Sequence, residues 1–244
     1  MARKQNLRLR LNIWMLKFTR HWLRVALILV GIYVTLPFVA PTLMKIGAEG
    51  PARILYTLYS PFCHQFGFRS FFLYGEQAAY PRQISGTPLT PYEAYVEGLP
   101  QFSNVPDLWN GFNIELMTSA RTFAGNETMG YKLTLCERDI SIYLAIFIGG
   151  LLYTRVRRRL RPVPLWLYII LGLGPIGLDG FSQLFGYPPF NWWPTRETLP
   201  VFRVVTGALF GFMNVWLGFP YIEMSMRDTR RELEEKLRNA GIKL

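Results

Sequence analysis

The sequence predicts an all-α integral membrane protein with about four transmembrane helices, an interfacial aromatic helix and an extracytoplasmic irregular cap. The first supporting observation is composition: 50% of the 244 residues are hydrophobic and 16% are aromatic, above the usage of an average soluble domain. The second is the net charge of +11, which flanks apolar runs instead of covering a polar surface as in nucleic-acid-binding proteins. We therefore expect the lipid bilayer, and no nucleic acid, as a partner.

Four apolar segments are predicted to span the membrane: residues 25–44, 140–154, 163–185 and 199–222. Asp179 is the only charged residue in the third segment and Arg203 the only one in the fourth. The second segment is short, and it reaches spanning length if its helix begins near Leu133. We interpret the first segment as a retained anchor, because its apolar part exceeds a typical signal-peptide core and no A-x-A-like cleavage site follows it.

Lysine and arginine residues predict the orientation of these spans. They gather before the first span, between the second and third, and after the fourth, at residues 3–24, 155–161 and 227–243. The positive-inside rule makes that side the cytoplasm, so we expect a multi-pass protein of the cytoplasmic (inner) membrane with both termini in the cytoplasm.

The predicted organisation has five parts: a basic amphipathic cytoplasmic segment at 1–24, a transmembrane helix at 25–44, an extracytoplasmic segment at 45–135, a three-helix transmembrane region at 136–222 and a cytoplasmic C-terminal helix at 223–244. In the first part, leucines and Trp14 interleave with arginines, as in a helix lying at an anionic lipid surface. The last part mixes both charge signs at i,i+4 spacing, which indicates a solvated helix without chemistry.

The extracytoplasmic segment divides into two sections. Ser60 can cap a helix and Pro61 suits its first position, so the aromatic residues that follow predict a short interfacial helix at about 61–75. Residues 76–132 scatter five prolines among glycines and isolated aromatic residues. This pattern predicts an irregular but ordered cap, because residues such as Trp109 provide something to bury.

Ionisable residues within the spans mark a candidate site. Asp139, Asp179 and Arg203 lie about 22–28 Å along their helices from the cytoplasmic boundary, which places them near the outer side. Such groups usually face a partner or a cavity, the alternative being that they reach nearby water. Because lone opposite charges on consecutive spans should find each other, we expect Asp179 to pair with Arg203.

Helical spacing places further polar and small residues on shared faces. Cys136 shares a face with Asp139 at i,i+3, and Gln183 shares one with Asp179 at i,i+4. Gly207 and Gly211 continue the stripe that begins at Arg203. Their small-xxx-small spacing is typical of close helix packing.

A set of short motifs runs through about three quarters of the chain: Cys63-His64-Gln65, Arg69-Ser70-Phe71-Phe72, Gly75, Gln77, Cys136 with Arg138 and Tyr143, Asp179-Gly180, and Arg203 with Thr206-Gly207. The combination resembles an uncharacterised family of small prokaryotic membrane proteins with the signature CHQ followed by CxRC. In that family the two motifs are close together, whereas the proline-rich cap separates them here. Asp139 also stands where the family has its second CxRC cysteine, and the resemblance implies no known activity.

The resemblance implies that Cys63, His64, Cys136 and Asp139 converge on the outer side. One outcome is a zinc ion bound by these residues, although the aspartate lowers the number of thiolates and disfavours tight structural zinc. Another outcome is a disulfide between Cys63 and Cys136, because thiols oxidise outside the cytoplasm. Plain packed thiols are the third.

Three classes of function remain, because the G-x-S-x-G, H-E-x-x-H and Walker motifs are all missing. The favoured class is a noncatalytic accessory or assembly subunit of a larger membrane complex, which docks on other membrane subunits through residues 76–132. The second is a membrane-embedded, metal-assisted hydrolase or transferase at the outer leaflet. The third is a small transporter that uses Asp179 and Arg203.

Overall fold

The computed structural model describes residues 2–110, 113–157 and 159–242, with side chains described from Leu7 onward. Seven helices and three strands are numbered here in chain order: α1 Ala2–Lys45, α2 Glu49–Tyr59, β1 Ser70–Leu73, α3 Tyr92–Val96, α4 Ile114–Thr122, β2 Gly125–Asn126, β3 Gly130–Cys136, α5 Glu137–Val156, α6 Leu165–Leu184 and α7 Pro200–Asn239. Helix α6 contains a π-helical stretch at Tyr168–Leu173.

Helices α1, α5, α6 and α7 are long and apolar enough to cross a membrane. They correspond to the predicted spans, and the second span does begin earlier than its apolar run, at Glu137. The prediction of a helical membrane protein with four spanning helices is therefore confirmed, but the fold is not all-α, because residues 70–136 contain a small β-sheet. Helix α6 lies at the edge of the bundle, with large apolar side chains such as Leu178 exposed.

Helices α1 and α7 are much longer than a membrane requires. At 1.5 Å per residue their 44 and 40 residues extend about 66 and 60 Å, roughly twice the hydrocarbon core. Beyond the bundle the two helices pack side by side, with Leu16 buried against Leu233 and Leu237. The arginine clusters of α1, of the segment after α5 and of α7 meet at this end, which we call the arginine-rich end.

Helices α1 and α7 continue through the boundaries predicted at residues 24/25 and 222/223, so no break in secondary structure marks these positions. The N-terminal segment is predicted to lie at a lipid surface, but its apolar residues Leu9 and Ile13 pack into the small core around Leu233. Leu9 and Ile13 lie on the same helix face as Leu16, so α1 presents an apolar stripe here. The apolar residues near the end of α7 pack against this stripe.

Residues 49–110 and 113–136 form a lobe at the opposite end of the bundle. Helix α2 turns back along α1, where the Tyr59 hydroxyl donates to the carbonyl of Tyr33 at 2.6 Å. A three-stranded antiparallel sheet follows with the order β1-β3-β2. Strand β3 ends at Cys136 and α5 starts at Glu137, so the lobe enters the membrane bundle without a linker.

The lobe has its own core, to which the described part of the proline-rich section contributes. The core is mainly aromatic: Phe66, Phe68, Phe72, Tyr80, Tyr92, Val96, Phe102, Leu116, Ala120, Phe123 and Met129. The Arg82 guanidinium is fully buried beside it, donating from Nε to Glu93 at 2.7 Å and from Nη2 to the carbonyl of Leu108 at 3.0 Å. Such a pair fixes loop positions, since either group alone would be an uncompensated buried charge.

The predicted aromatic helix at 61–75 is wrong. Gly67–Arg69 form a single 3-10 turn and Ser70–Leu73 form β1. Ser60 and Pro61 follow the end of α2 instead of starting a helix. The aromatic residues fit a strand because Ser70 and Phe72 are buried while Phe71 and Leu73 are half-buried, the alternation of a pleated strand.

Candidate functional site

Charged side chains meet where the lobe joins the membrane helices. The first group is centred on Glu197, in the segment between α6 and α7. Its carboxylate accepts hydrogen bonds from Arg69 of the lobe, at 2.6 Å from Nη2 and 3.1 Å from Nε, and from Arg203 of α7. The Tyr187 hydroxyl also donates to it. One buried carboxylate thus connects the lobe, the loop and a spanning helix.

The same group reaches α5 through Arg203. The Arg203 Nη1 lies 3.5 Å from Oε2 of Glu137, and both side chains are buried. The order of contact is therefore Arg69, Glu197, Arg203, Glu137. We call these four residues the junction network. The network contains as many acids as arginines, so each buried guanidinium group has a carboxyl group beside it.

The protonation states of the junction follow from its surroundings. Burial alone would raise the pKa of the Glu197 carboxyl, but the Arg69 and Arg203 guanidinium groups hold that pKa below its ordinary value. Burial and the Glu197 charge raise the pKa of Tyr187. Glu197 therefore stays ionised as an acceptor while Tyr187 keeps its proton as a donor.

A second group is centred on Asp179 of α6. The Asp179 carboxylate accepts from Arg138 of α5, from Arg196 at 3.2 Å and from the Thr198 hydroxyl. The Gln183 side-chain amide also donates to Thr198. Asp179 and Gln183 thus share a face of α6. Through Arg196 and Thr198 this face binds the loop between α6 and α7, which also contains Glu197.

The predicted Asp179–Arg203 pair is wrong, because the two residues belong to separate groups. Arg203 faces α5 and Glu197, whereas Asp179 faces Arg138. The prediction considered only charges inside apolar runs, whereas the carboxylates bound to Arg203 lie at the edges of such runs. One available signal was the Glu137-Arg138-Asp139 sequence directly before the apolar run of the second span.

Gly207 and Gly211 mark the close approach of α7 to α5. A Cβ atom at Gly207 would lie 2.7 Å from the carbonyl oxygen of Arg138, and one at Gly211 would lie 2.4 Å from that of Ile142. Both distances are shorter than van der Waals contact, so side chains larger than hydrogen would separate the helices. This close packing brings Arg203 within reach of Glu137.

The two cysteines lie together beside the junction network, and both are free thiols. The ligand atoms of Cys63, Cys136 and Asp139 are all within 4.8 Å of one another. The Cys63 sulfur accepts the backbone N–H of Cys136 at 3.2 Å, and the Cys136 thiol donates to Asp139 Oδ2 at 3.0 Å. The hydrogen bond with Cys63, together with burial, raises the pKa of the Cys136 thiol.

Of the four residues predicted to converge, His64 lies outside this group. Its side chain is exposed, and its ring contacts the Phe66 ring at a centroid distance of 5.4 Å. Cys63 immediately before it is buried, so the two neighbouring side chains leave the backbone in different directions.

Gln65 and Lys132 have structural contacts in the same region. The Gln65 amide donates to the carbonyl of Tyr56 at 2.9 Å. The buried Lys132 ammonium donates to the carbonyls of Gln65 and Arg121 at 2.7 Å each, and to that of Ala120 at 3.0 Å. Lys132 thereby ties the cysteine-containing segment to the end of α4. The sequence prediction had given Lys132 no role, since a single lysine in a strand carries no distinguishing pattern.

The fold and the charge distribution define a multi-pass helical membrane protein. Residues 118–217 match the model of a family described as "Predicted membrane protein (DUF2085)". An archaeal relative, "Uncharacterized protein MJ1492" from Methanocaldococcus jannaschii, is 30% identical over 97 residues, which are 39% of this chain and 57% of the relative. The chain thus covers little more than half of that relative, and no solved structure matches.

These similarities confirm the resemblance to an uncharacterised membrane-protein family over part of the chain. The matched residues include β3, α5, α6 and the first half of α7, and therefore Glu137, Asp179, Glu197 and Arg203. The CHQ segment lies before the matched range, which is shorter than the predicted three quarters of the chain.

Proposed function

We propose that the protein is a noncatalytic accessory subunit of a larger membrane complex, and that its lobe is a docking module held at the membrane surface. The observation that carries this proposal is the bridge from Arg69 through Glu197 to Arg203. It joins the lobe to a spanning helix by buried charges, and it gives the lobe a fixed orientation for a partner to recognise.

The state of the carboxylates supports a structural role. A general base must present a free lone pair to its substrate. Glu197 instead accepts from two arginines and a tyrosine, and Asp179 accepts from two arginines and a threonine. The carboxylate oxygens of both residues are thus engaged by hydrogen-bond donors of the protein itself. We therefore infer that Glu197 and Asp179 hold the lobe, the loop and the helices together and do not react with a substrate.

The lobe also offers a surface on which a partner can dock. A cleft of about 750 Å³ lies between α2 and the β2–β3 side of the lobe. Its lining includes Arg53, Gln101 and Arg121, and Arg53 pairs with Glu49 of the same cleft. We propose that this cleft, which residues 101–132 line together with residues of α2, receives a polar or acidic loop of a membrane partner.

The proposed location is the cytoplasmic membrane, with both termini in the cytoplasm. Arginines of α1, of the segment after α5 and of α7 are at the same end of the bundle, as the Arg20–Glu234 and Arg157–Glu223 pairs show. Positive residues favour the cytoplasmic side. The lobe would then face outward.

Co-purification tests this proposal. The protein would be isolated from native membranes in mild detergent, in parallel with the variants Gln101→Glu and Gln83→Glu, and partners would be identified by mass spectrometry. Both glutamines are exposed, but only Gln101 lines the cleft. We expect a stoichiometric membrane partner with the unaltered protein and with Gln83→Glu, and its loss with Gln101→Glu, because an added negative charge repels an acidic loop. A protein that purifies without a partner, or a partner retained equally by both variants, would contradict docking in the cleft.

A metal-dependent activity at the outer leaflet is a second candidate, favoured by the proximity of Cys63, Cys136 and Asp139. Two sulfurs and a carboxylate oxygen are suitable zinc donors, and three protein ligands leave an open position, as in catalytic zinc sites. Purified protein would then contain about one zinc per chain, lost in Cys136→Ser. Thiol counting with and without reductant on the same sample tests the disulfide alternative.

A further inference from the structure

The arginine-rich end contains a cavity that the proposed docking function does not use. Its volume is about 410 Å³, and it lies between the extended parts of α1 and α7 and the end of α5. Its lining consists of five arginines and one glutamate: Arg20, Arg157, Arg227, Arg230, Arg231 and Glu223. We call it the arginine cavity.

The single carboxylate in this lining is already occupied. Glu223 is buried, and it accepts from the Trp22 indole at 2.8 Å, from Arg157 Nε at 2.6 Å and from Arg227 Nε at 2.9 Å. Both arginines bind Glu223 through Nε. Among the residues that the structure describes, their terminal amino groups donate to no acceptor, so these groups are available to a ligand. Glu223 therefore positions two guanidinium groups at the cavity without satisfying them.

The remaining arginines raise the excess of positive charge. Arg20 forms a partly exposed ion pair with Glu234, at 2.9 Å. Arg230 and Arg231 have no ion pair among the residues that the structure describes. Several guanidinium groups of like charge around one cavity repel one another, and a bound anion relieves that repulsion.

The surroundings of the cavity are those of a membrane boundary. A neighbouring pocket of about 350 Å³ shares Arg157, Glu223 and Arg227 with it and adds the apolar side chains of Leu160, Pro220 and Met224. Leu152 of α5 and Tyr221 of α7 are exposed next to this region, with exposed fractions of 52% and 56%. Cationic donors therefore adjoin apolar helix surface that faces lipid.

We propose that the arginine cavity binds the phosphate headgroup of an anionic phospholipid. Guanidinium groups match phosphate oxygens in paired hydrogen bonds, and the acyl chains would lie against the exposed faces of α5 and α7. Basic pockets between helices at the cytoplasmic side are suited to such headgroups. A soluble phosphate offers the same oxygens, but it would leave the adjoining apolar surface unused.

Thermal unfolding of the complete protein in mild detergent distinguishes these ligands. Three titrations would use phosphatidylglycerol, phosphatidylcholine and inorganic phosphate. We expect a rise in unfolding temperature with phosphatidylglycerol alone. An equal rise with inorganic phosphate would overturn the lipid assignment, and an equal rise with phosphatidylcholine would overturn the anionic headgroup.

Two double variants locate the effect. Arg230→Gln/Arg231→Gln removes two cavity arginines, whereas Lys236→Gln/Arg238→Gln removes the same charge from exposed positions that do not line the cavity. We expect the first variant to bind phosphatidylglycerol about thirty-fold more weakly, from the loss of two cations at about 1 kcal/mol each, and the second to bind nearly as the unaltered protein does. Equal weakening in both variants would show a general surface attraction and overturn the site. Unfolding temperatures without lipid verify that each variant is folded.

Discussion

The two ends of the bundle use the same local arrangement for different purposes. At the lobe, the buried Glu197 binds Arg69 and Arg203; at the arginine-rich end, the buried Glu223 binds Arg157 and Arg227. The surroundings differ. Glu197 lies in a network with as many acids as arginines, whereas Glu223 lies in a cavity where arginines outnumber acids. A carboxylate between two arginines therefore holds structural elements together where acids and arginines are equal in number. Where arginines are in excess, it positions them to bind an anion.

The largest expected effect is from removing the Glu197 charge. Glu197→Gln leaves Arg69 and Arg203 near each other without their shared counter-charge, and we expect a loss of about 3–5 kcal/mol in the free energy of unfolding. Glu223→Gln should cost less, about 1–2 kcal/mol, because the Arg157 and Arg227 side chains are 30% and 34% exposed. Unfolding in detergent measures both, and equal losses would remove the distinction between the two ends.

Close packing beside the junction network should also be sensitive. Gly211→Ala places a methyl group against the backbone of α5, and we expect a destabilisation of about 1–3 kcal/mol. Gly218, further along the same helix, has nothing within 4 Å of the position that a Cβ atom would occupy, so Gly218→Ala is the matched control. The control should gain up to about 1 kcal/mol from helix propensity. Destabilisation of both variants alike would show that α5 and α7 are not specially close at Gly211.

Acid should weaken the lobe end through Glu197. The pKa of this carboxyl is lower in the folded protein than its ordinary value of 4.5, so its stabilisation is complete above about that pH and is lost as the pH falls through the folded value. Each unit of difference between the two pKa values corresponds to about 1.4 kcal/mol. We expect the decline in unfolding temperature below pH 4.5 to be shallower in Glu197→Gln than in the unaltered protein. Identical acid profiles would contradict the assignment.

The smallest expected effect concerns the exposed pair at the arginine-rich end. Arg20 and Glu234 are 2.9 Å apart, with side chains 43% and 31% exposed. Glu234→Gln should therefore cost about 0.2–1 kcal/mol, and less at high salt, because water and ions screen such pairs. A loss comparable to that of Glu197→Gln would mean that exposure does not separate the two kinds of pair.

The membrane architecture could be predicted from the sequence because spanning helices need about twenty predominantly apolar residues. Three of the helices show such a run, and the second reaches that length by including its charged first turn. The extensions of α1 and α7 could not, since the stripe that contains Leu16 becomes a packing surface only when Leu233 lies opposite it. The error at residues 61–75 has the same cause. The aromatic residues there are compatible with a helix or a strand, and the strand forms because β1 pairs with β3, a contact that the local sequence does not reveal.

The candidate site was predicted in part. Helical spacing predicts that Cys136 and Asp139 lie together, and they do form a hydrogen bond although Cys136 ends β3 directly before the helix; the family resemblance adds Cys63 to them. Glu137 and Glu197 were missed because an acid at the edge of an apolar run looks like an ordinary surface residue. Only the fold shows that Arg203 turns toward both of them.

Hydrogen–deuterium exchange in lipid nanodiscs tests most directly whether Glu197 fastens the lobe to the bundle. The comparison is between the unaltered protein and Glu197→Gln. Exchange would be followed at Gly67–Arg69 and in β1, which lie beside or include Arg69. Helix α3 is the control, because its Glu93 belongs to the separate ion pair with Arg82. We predict faster exchange in the variant at Gly67–Arg69 and β1, with little change in α3. Unchanged exchange beside Arg69 would contradict the central claim, since the lobe would then keep its position without Glu197.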